Sequence, residues 1–362
     1  MIQKMLPLWL KNKIKPFYYS LGYAMRPVNL LIEITVDCNL DCIMCPRHSI
    51  KFDKKNMSLS EFKYILLKIP GLRRISFVGF GEPFMNPEFC DMLYLLEGKE
   101  VTIVTNGALL TERNIKRLKN VTTFSISIDS PFEDKYRAIR GISLTKIKQN
   151  IQNLKKIYPN ICLTVNTIIM KNNIKDLFGI IDLAQEINAD IVRTIHLMAS
   201  DSDIEKEHGI YYENLANELF KVNEKANKYG IKFYSPYDPN FQTIEKRECL
   251  EPWYTVKLTV NGDIYPCCYM PRSSASTWPE WFQDRLVNVP ESQYKMGNIF
   301  RDSLNDLWNG TNWRMLRQIV RNTEKNIDTK MINNLGQLRT KINLNEKFSY
   351  CKICLFRWGC AC

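Results

Sequence analysis

Between residues 29 and 197 the chain alternates short β-rich runs with amphipathic helical stretches, and nothing else in it narrows the fold as much. The runs are NLLIEITV (29–36), RISFVGF (74–80), VTIVT (101–105), TTFSISID (122–129), ICLTVNTII (161–169) and DIVRTIHL (190–197). Helical segments lie between them. SLSEFKYILLKI opens with Ser58 and carries Glu61 three residues on, the pattern of a capping box. Such alternation implies a parallel sheet, and six repeats without a Gly-rich dinucleotide fingerprint predict an α/β fold, a partial (β/α)6 TIM-like barrel. Chemistry on such a barrel gathers at the C-terminal strand ends.

Beyond 197 the pattern changes. A helical stretch spans about 211–229, WYTVKLTVNGDIYPCC reads as a β-hairpin turning at Asn261-Gly262, and a helix is predicted around 302–320. Residues 323–347 are polar and Asn/Lys-rich, a loop-rich connection. This divides the chain into an N-terminal extension (1–28), a barrel (29–235) and a small cysteine-rich α+β domain (236–362). With 362 residues, 45% of them hydrophobic, the chain can bury one large core and a smaller one.

Fifty Lys and Arg against 38 acidic residues give a net charge of +12, which suits an anionic substrate, a nucleic acid, a membrane surface or simply a basic solvated exterior. No dense basic run or arginine-rich repeat supports nucleic acid. The first segment mixes lysines with apolar residues and lacks a secretory signal's cleavage site, and no stretch reaches the ~18 apolar residues of a membrane span. A cytoplasmic protein with reduced thiols is expected. Its N-terminal segment is expected as an amphipathic helix that packs on the barrel or touches a membrane surface.

Twelve cysteines follow a pattern unlike that of a small disulfide scaffold. CNLDCIMC places Cys38, Cys42 and Cys45 on one loop after the first β run. Three thiolates so spaced can hold three corners of a 4Fe-4S cube and leave one iron open to a chelating ligand. A structural zinc with His48 as fourth ligand is the alternative. Polar and glycine residues end the next three runs: Gly79 to Pro83, Asn106-Gly107, and Ser127 with Asp129. Cys90 and Cys162 read as packing residues.

On these residues the chain resembles the radical S-adenosylmethionine superfamily over about 28–362. The resemblance implies that the open iron chelates S-adenosylmethionine and that reductive cleavage yields a 5'-deoxyadenosyl radical. Met44 stands where many members carry an aromatic residue before the third cysteine. Gly79-Phe80-Gly81-Glu82-Pro83 is similar to the family's GGEP motif, of which Gly81, Glu82 and Pro83 carry over, with backbone and carboxylate toward the methionyl ammonium. Asn106, Ser127 and Asp129 are then expected at the methionine and ribose, Arg140 at the carboxylate and Asn166 at the ribose. A surface ion pair is the alternative for Arg140, and a buried strand amide for Asn166.

Cys249, Gly262 and Cys267 have C-x12-G-x4-C spacing, and Cys351, Cys354 and Cys360 have C-x2-C-x5-C. With GNIFRDSLNDLWNG (297–310) between them, these resemble the SPASM and Twitch extensions of the superfamily, which hold auxiliary 4Fe-4S clusters. Seven cysteines fall short of the eight that two full cubes need. One cluster on Cys249, Cys267, Cys351 and Cys354 is therefore expected, and Cys268, Cys360 and Cys362 are left to packing, a disulfide, zinc or an incomplete second cluster. The resemblance implies a flavodoxin- or ferredoxin-type electron donor and hydrogen abstraction from a substrate. Dehydrogenation of a small molecule such as a sugar or anionic metabolite is the first expectation, ahead of epimerisation and of peptide modification. A non-catalytic iron–sulfur electron carrier is the contrasting class. No nucleic-acid partner is expected.

Overall fold

The computed structural model describes residues 19–48, 56–197, 202–209, 216–235, 249–267, 277–282, 285–290 and 294–322. Strand β1 (Asn29–Ile32) leads through the cysteine loop to α1 (Leu59–Lys68), β2 (Arg74–Phe77) to α2 (Phe89–Leu93), and β3 (Glu100–Thr105) to α3 (Glu112–Lys116). β4 (Thr123–Ser127) precedes α4 (Glu133–Arg140) and α5 (Leu144–Ile157), and β5 (Cys162–Ile169) precedes α6 (Leu177–Glu186). β6 (Ile191–His196) is followed by α7 (Ser202–His208), α8 (Ala216–Lys228) and β7 (Lys232–Tyr234). After α9 (Glu251–Tyr254) come β8 (Thr255–Leu258), β9 (Asp263–Tyr265), β10 (Thr277–Phe282), β11 (Arg285–Pro290), β12 (Gly297–Asn298), α10 (Leu304–Trp308) and α11 (Thr311–Asn322).

One ten-stranded sheet runs in the order β12-β9-β8-β1-β2-β3-β4-β5-β6-β7, with β8 and β1 to β7 all parallel, and β10 and β11 pair separately. All six expected strands form at the runs read from the sequence, five of them within those runs and β3 starting one residue earlier, at Glu100. β7 is an addition at the sheet edge, and its three residues alternate exposed, half-buried, exposed. The hairpin of the C-terminal segment joins this same sheet, since β8 pairs in parallel with β1.

Period-two alternation divides the strands between two faces. Leu30, Ile32, Ile75, Phe77, Val101, Ile103, Phe124, Ile126, Leu163, Val165, Val256 and Leu258 belong to the main buried core with the helices. Helix α5 shows why: Leu144, Ile147, Ile151 and Leu154 recur at helical spacing and are all buried. The opposite face carries the polar residues Glu33, Ser76, Thr102, Ser125, Ser127, Thr164, Asn166, Arg193 and Lys257, interspersed with Leu31, Val104, Ile168 and Ile195.

Local chemistry explains the element ends. Ser58 Oγ accepts the Glu61 N–H at 3.2 Å and Glu61 Oε2 accepts the Ser58 N–H at 2.8 Å, closing the expected capping box. In the β8–β9 hairpin the Thr259 N–H donates to Asp263 O at 3.0 Å and the Gly262 N–H to Thr259 O at 2.9 Å. Gly262 alone takes the left-handed conformation, φ +79°, so the loop is a three-residue one rather than a two-residue Asn-Gly turn. The helix expected over 302–320 is broken at Asn309-Gly310 into α10 and α11. The break has a use: Asn309 Oδ1 accepts from the Ala24 N–H (3.0 Å) and Arg317 Nη1 (3.1 Å), while its Nδ2 donates to Ala24 O (3.1 Å). Arg317, fully buried, also donates to Pro252 O and Gly22 O, with Trp308 and Trp313 rings 4.4 and 5.3 Å from its guanidinium.

The N-terminal helix expectation over residues 1–18, the tail from 323, and Cys268, Cys351, Cys354, Cys360 and Cys362 lie outside the described residues. Among the described residues no helix is long and apolar enough to cross a membrane.

Candidate active site

The loop after β1 is held from two sides. From β2, the Glu82 N–H donates to Asp37 O at 2.8 Å; from α4, Ile139 O accepts the Ile43 N–H at 3.1 Å. Gly81 permits the first contact, because a Cβ there would lie 2.2 Å from Thr35 O. Cys42 is buried, and Cys38 and Cys45 are half-buried. Asn106 Nδ2 lies 3.8 Å from Cys38 Sγ and 3.0 Å from Asn39 Oδ1. Arg140 Nη1 lies 3.8 Å from Cys42 Sγ, and that sulfur is 4.0 Å from Arg140 O.

Burial pushes the Cys45 thiol up to about 11 and raises Cys42 as well, despite the Arg140 charge beside it. Such thiols ionise readily only on a metal. N–H donors aimed at two of the three sulfurs suit thiolate acceptors better than neutral thiols, which accept weakly. The loop therefore fits an iron–sulfur cube. Among the described residues no three His, Cys, Asp or Glu side chains are arranged to hold a single ion; a cube instead takes each thiolate on a different iron.

The remaining expected residues fall at adjoining strand ends, with partners the sequence could not name. Glu82 is 3% exposed, its Oε1 accepting the Thr105 hydroxyl (2.7 Å) and its Oε2 the Asn106 N–H (2.8 Å). Burial outweighs these bonds and pushes its carboxyl up to about 7. Pro83 opens a 3-10 turn, Pro83–Met85. Asp129 is fully buried, Oδ1 accepting the Ile168 N–H (2.7 Å) and Oδ2 the Arg140 Nε–H (2.5 Å). Asn173 Nδ2 ties the Asp129 and Ile168 carbonyls together at 2.9 and 2.8 Å.

Ser127, Asn166, Arg193 and Tyr234 stand in one register row across β4, β5, β6 and β7. Asn166 is 7% exposed, and its Oδ1 has no hydrogen-bond partner among the described residues. Arg193 and Glu33 escaped the sequence reading. Their signal was parity: each occupies the polar-face position of its β run. Of the distal cysteines, Cys249 precedes α9 and β8, and Cys267 follows β9, whose antiparallel course returns to the same end. Both pack on the main core at the N-terminal end of the parallel strands, opposite Cys38, Cys42 and Cys45. Cys90 is buried in α2 and Cys162 half-buried at the start of β5.

Strand order, cysteine loop and polar strand ends together define an iron–sulfur enzyme built on a partial TIM barrel. The model of the radical SAM superfamily matches residues 32–184 and that of the SPASM iron–sulfur cluster-binding domain residues 249–355. The chain belongs to the radical SAM superfamily and carries a C-terminal SPASM domain, with S-adenosylmethionine and 4Fe-4S clusters as its cofactors.

It is 26% identical over 313 residues to the tungsten-containing aldehyde ferredoxin oxidoreductase cofactor-modifying protein of Pyrococcus furiosus, covering 81% of this chain and 84% of that one. To the AdoMet-dependent heme synthase of Methanosarcina barkeri it is 24% identical over 288 residues, 71% and 81% of the two chains. In fold it is similar to anSMEcpe with bound AdoMet (TM-score 0.62, 17% identity, 92% and 96% covered). It is likewise similar to Streptococcus suis SuiB bound to S-adenosylmethionine (TM-score 0.63, 16% identity, 86% and 72% covered).

Proposed function

We propose that this radical SAM enzyme removes two electrons and two hydrogens from a polar small molecule lodged against the polar face of the sheet. The observation that carries the reading is the placement of Cys38, Cys42 and Cys45 at the C-terminal end of the parallel strands and of Cys249 and Cys267 at the N-terminal end. When bound, the first cluster supplies the electron that cleaves S-adenosylmethionine and so furnishes the radical for hydrogen abstraction.

The chain's own residues bind and position. Cys38, Cys42 and Cys45 hold the cube, and Gly81 brings the β2 end close to the loop for the methionyl ammonium. Asn106, Ser127 and Asn166 face the methionine and ribose; the Asn166 Oδ1, buried without a partner among the described residues, suits a hydroxyl donor. Glu82 and Asp129 act one step back, since their oxygens are engaged by Thr105, Asn106, Ile168 and Arg140. After abstraction the substrate must lose one more electron and a proton, and the electron leaves toward the end where Cys249 and Cys267 lie.

Peptide modification is the second reading, favoured by the peptide-bound forms of the fold neighbours anSMEcpe and SuiB. Anaerobic reconstitution with S-adenosylmethionine and dithionite tests the common core: 5'-deoxyadenosine forms, and the triple Cys38→Ala/Cys42→Ala/Cys45→Ala variant makes none. Undiminished cleavage in that variant overturns the assignment. Deuterated candidate substrates then separate the readings by transfer of label into 5'-deoxyadenosine.

A further inference from the structure

We propose that Arg140 tunes the radical-generating cluster: its guanidinium, locked by Asp129, donates an N–H···S hydrogen bond to the Cys42 ligand and raises the cluster's reduction potential. The inference rests on the three-thiolate cluster and not on the substrate, so a failure of the dehydrogenation reading leaves it standing.

The side chain is committed in two directions at once. Nε–H donates to Asp129 Oδ2 at 2.5 Å, and Nη1 lies 3.8 Å from Cys42 Sγ, within N–H···S range. All three groups are buried: Arg140 is 8% exposed, Asp129 0% and Cys42 8%. A planar guanidinium with one edge fixed cannot swing away from the sulfur without abandoning a buried carboxylate, which costs several kcal/mol when left uncompensated. Asp129 is itself immobilised, since its other oxygen accepts the Ile168 N–H and its carbonyl is held by Asn173. The backbone reinforces the placement, because the residue before Arg140 accepts the N–H of the residue after Cys42, at 3.1 Å. The end of α4, the end of β4 and the cluster loop thus form one rigid unit. Asn106, 3.8 Å from Cys38 Sγ, is the counterpart on the other side.

Hydrogen bonds to cluster sulfurs favour the more negative, reduced state and raise the potential. The Asp129–Arg140 pair is close to neutral as a unit, so the donor and not a net charge carries the effect. This differs from a role in which Arg140 grips the carboxylate of S-adenosylmethionine, which leaves the resting potential untouched.

The experiment is an EPR-monitored redox titration of the reconstituted full-length protein without S-adenosylmethionine. Three proteins are compared: wild type, Arg140→Met, and the double variant Asp129→Asn/Arg140→Met. The double variant removes the pair together, so no uncompensated charge burdens the fold if the single variant fails to load its cluster. A midpoint potential lower than wild type in the double variant is the expected result, and lower still in Arg140→Met, where Asp129 stays charged. A potential equal to wild type overturns the proposal. If cofactor affinity falls while the potential holds, Arg140 belongs to the cofactor carboxylate instead.

Discussion

Glu82 illustrates how far residue type and residue role can separate. Its place in a Gly-x-Gly-Glu-Pro string marks it as part of the cofactor site, yet its oxygens serve Thr105 and Asn106, 23 and 24 residues away in sequence. The same holds for Arg140, whose contact with Cys42 spans 98 residues. Such partners follow from strand order and register, which no local pattern encodes. A prediction follows from burial. A carboxyl raised from 4.5 to about 7 binds its proton more tightly folded than unfolded. Its contribution to stability is therefore fully present below 4.5 and is lost as pH rises toward 7, where the buried group becomes charged. At ~1.4 kcal/mol per pH unit the whole span is worth about 3 kcal/mol at most. Glu82→Gln abolishes this titration, so urea unfolding of the apoprotein should show wild type losing stability with rising pH more steeply than the variant. Parallel profiles would mean that Glu82 stays charged across the range.

At the scale of elements, legibility tracked the strength of local signals. The six long β runs and the α1 capping box were readable because periodicity and Ser-x-x-Glu spacing act within a few residues. Ser58→Ala should accordingly cost about 1 kcal/mol in chemical denaturation, the usual value of an N-cap. β7 was not readable: three residues with one half-buried side chain carry no periodic signal, and it exists because β6 offers an edge. Nor was the interruption at Asn309-Gly310, since what rewards it lies 285 residues away at Ala24. There the amide side chain satisfies both backbone groups of Ala24 and steadies Arg317. Asn309→Ala removes three hydrogen bonds and should cost about 2 to 3 kcal/mol. Asn309→Asp keeps the acceptor but loses the donor and should fall between. Equal stability of all three proteins in a urea titration would show that the segment around Ala24 is held by Arg317 and the tryptophans alone.

Across the whole molecule, the parallel strands separate two sets of cysteines that sequence spacing identified without locating. Because β8 joins the sheet beside β1 and β9 runs back along it, Cys249 and Cys267 end up at the opposite end of the parallel strands from Cys38, Cys42 and Cys45, and the face lined by Ser127, Asn166 and Arg193 runs along those strands. A substrate on that face that has lost a hydrogen atom needs somewhere to send its remaining electron. Iron–sulfur potentials span roughly −700 to +450 mV according to burial, charge and hydrogen bonding, so a second cluster can be poised to receive it. Two cubes predict about eight irons per reconstituted chain, and about four in Cys249→Ala/Cys267→Ala. In that variant the first cluster is untouched, so formation of 5'-deoxyadenosine should persist while oxidised product collapses. Native-rate oxidation in a protein that has lost four irons would make the distal cluster structural and remove the electron sink on which dehydrogenation depends. Product formed without net oxidation would point to epimerisation, in which a hydrogen atom is returned and no electron has to leave.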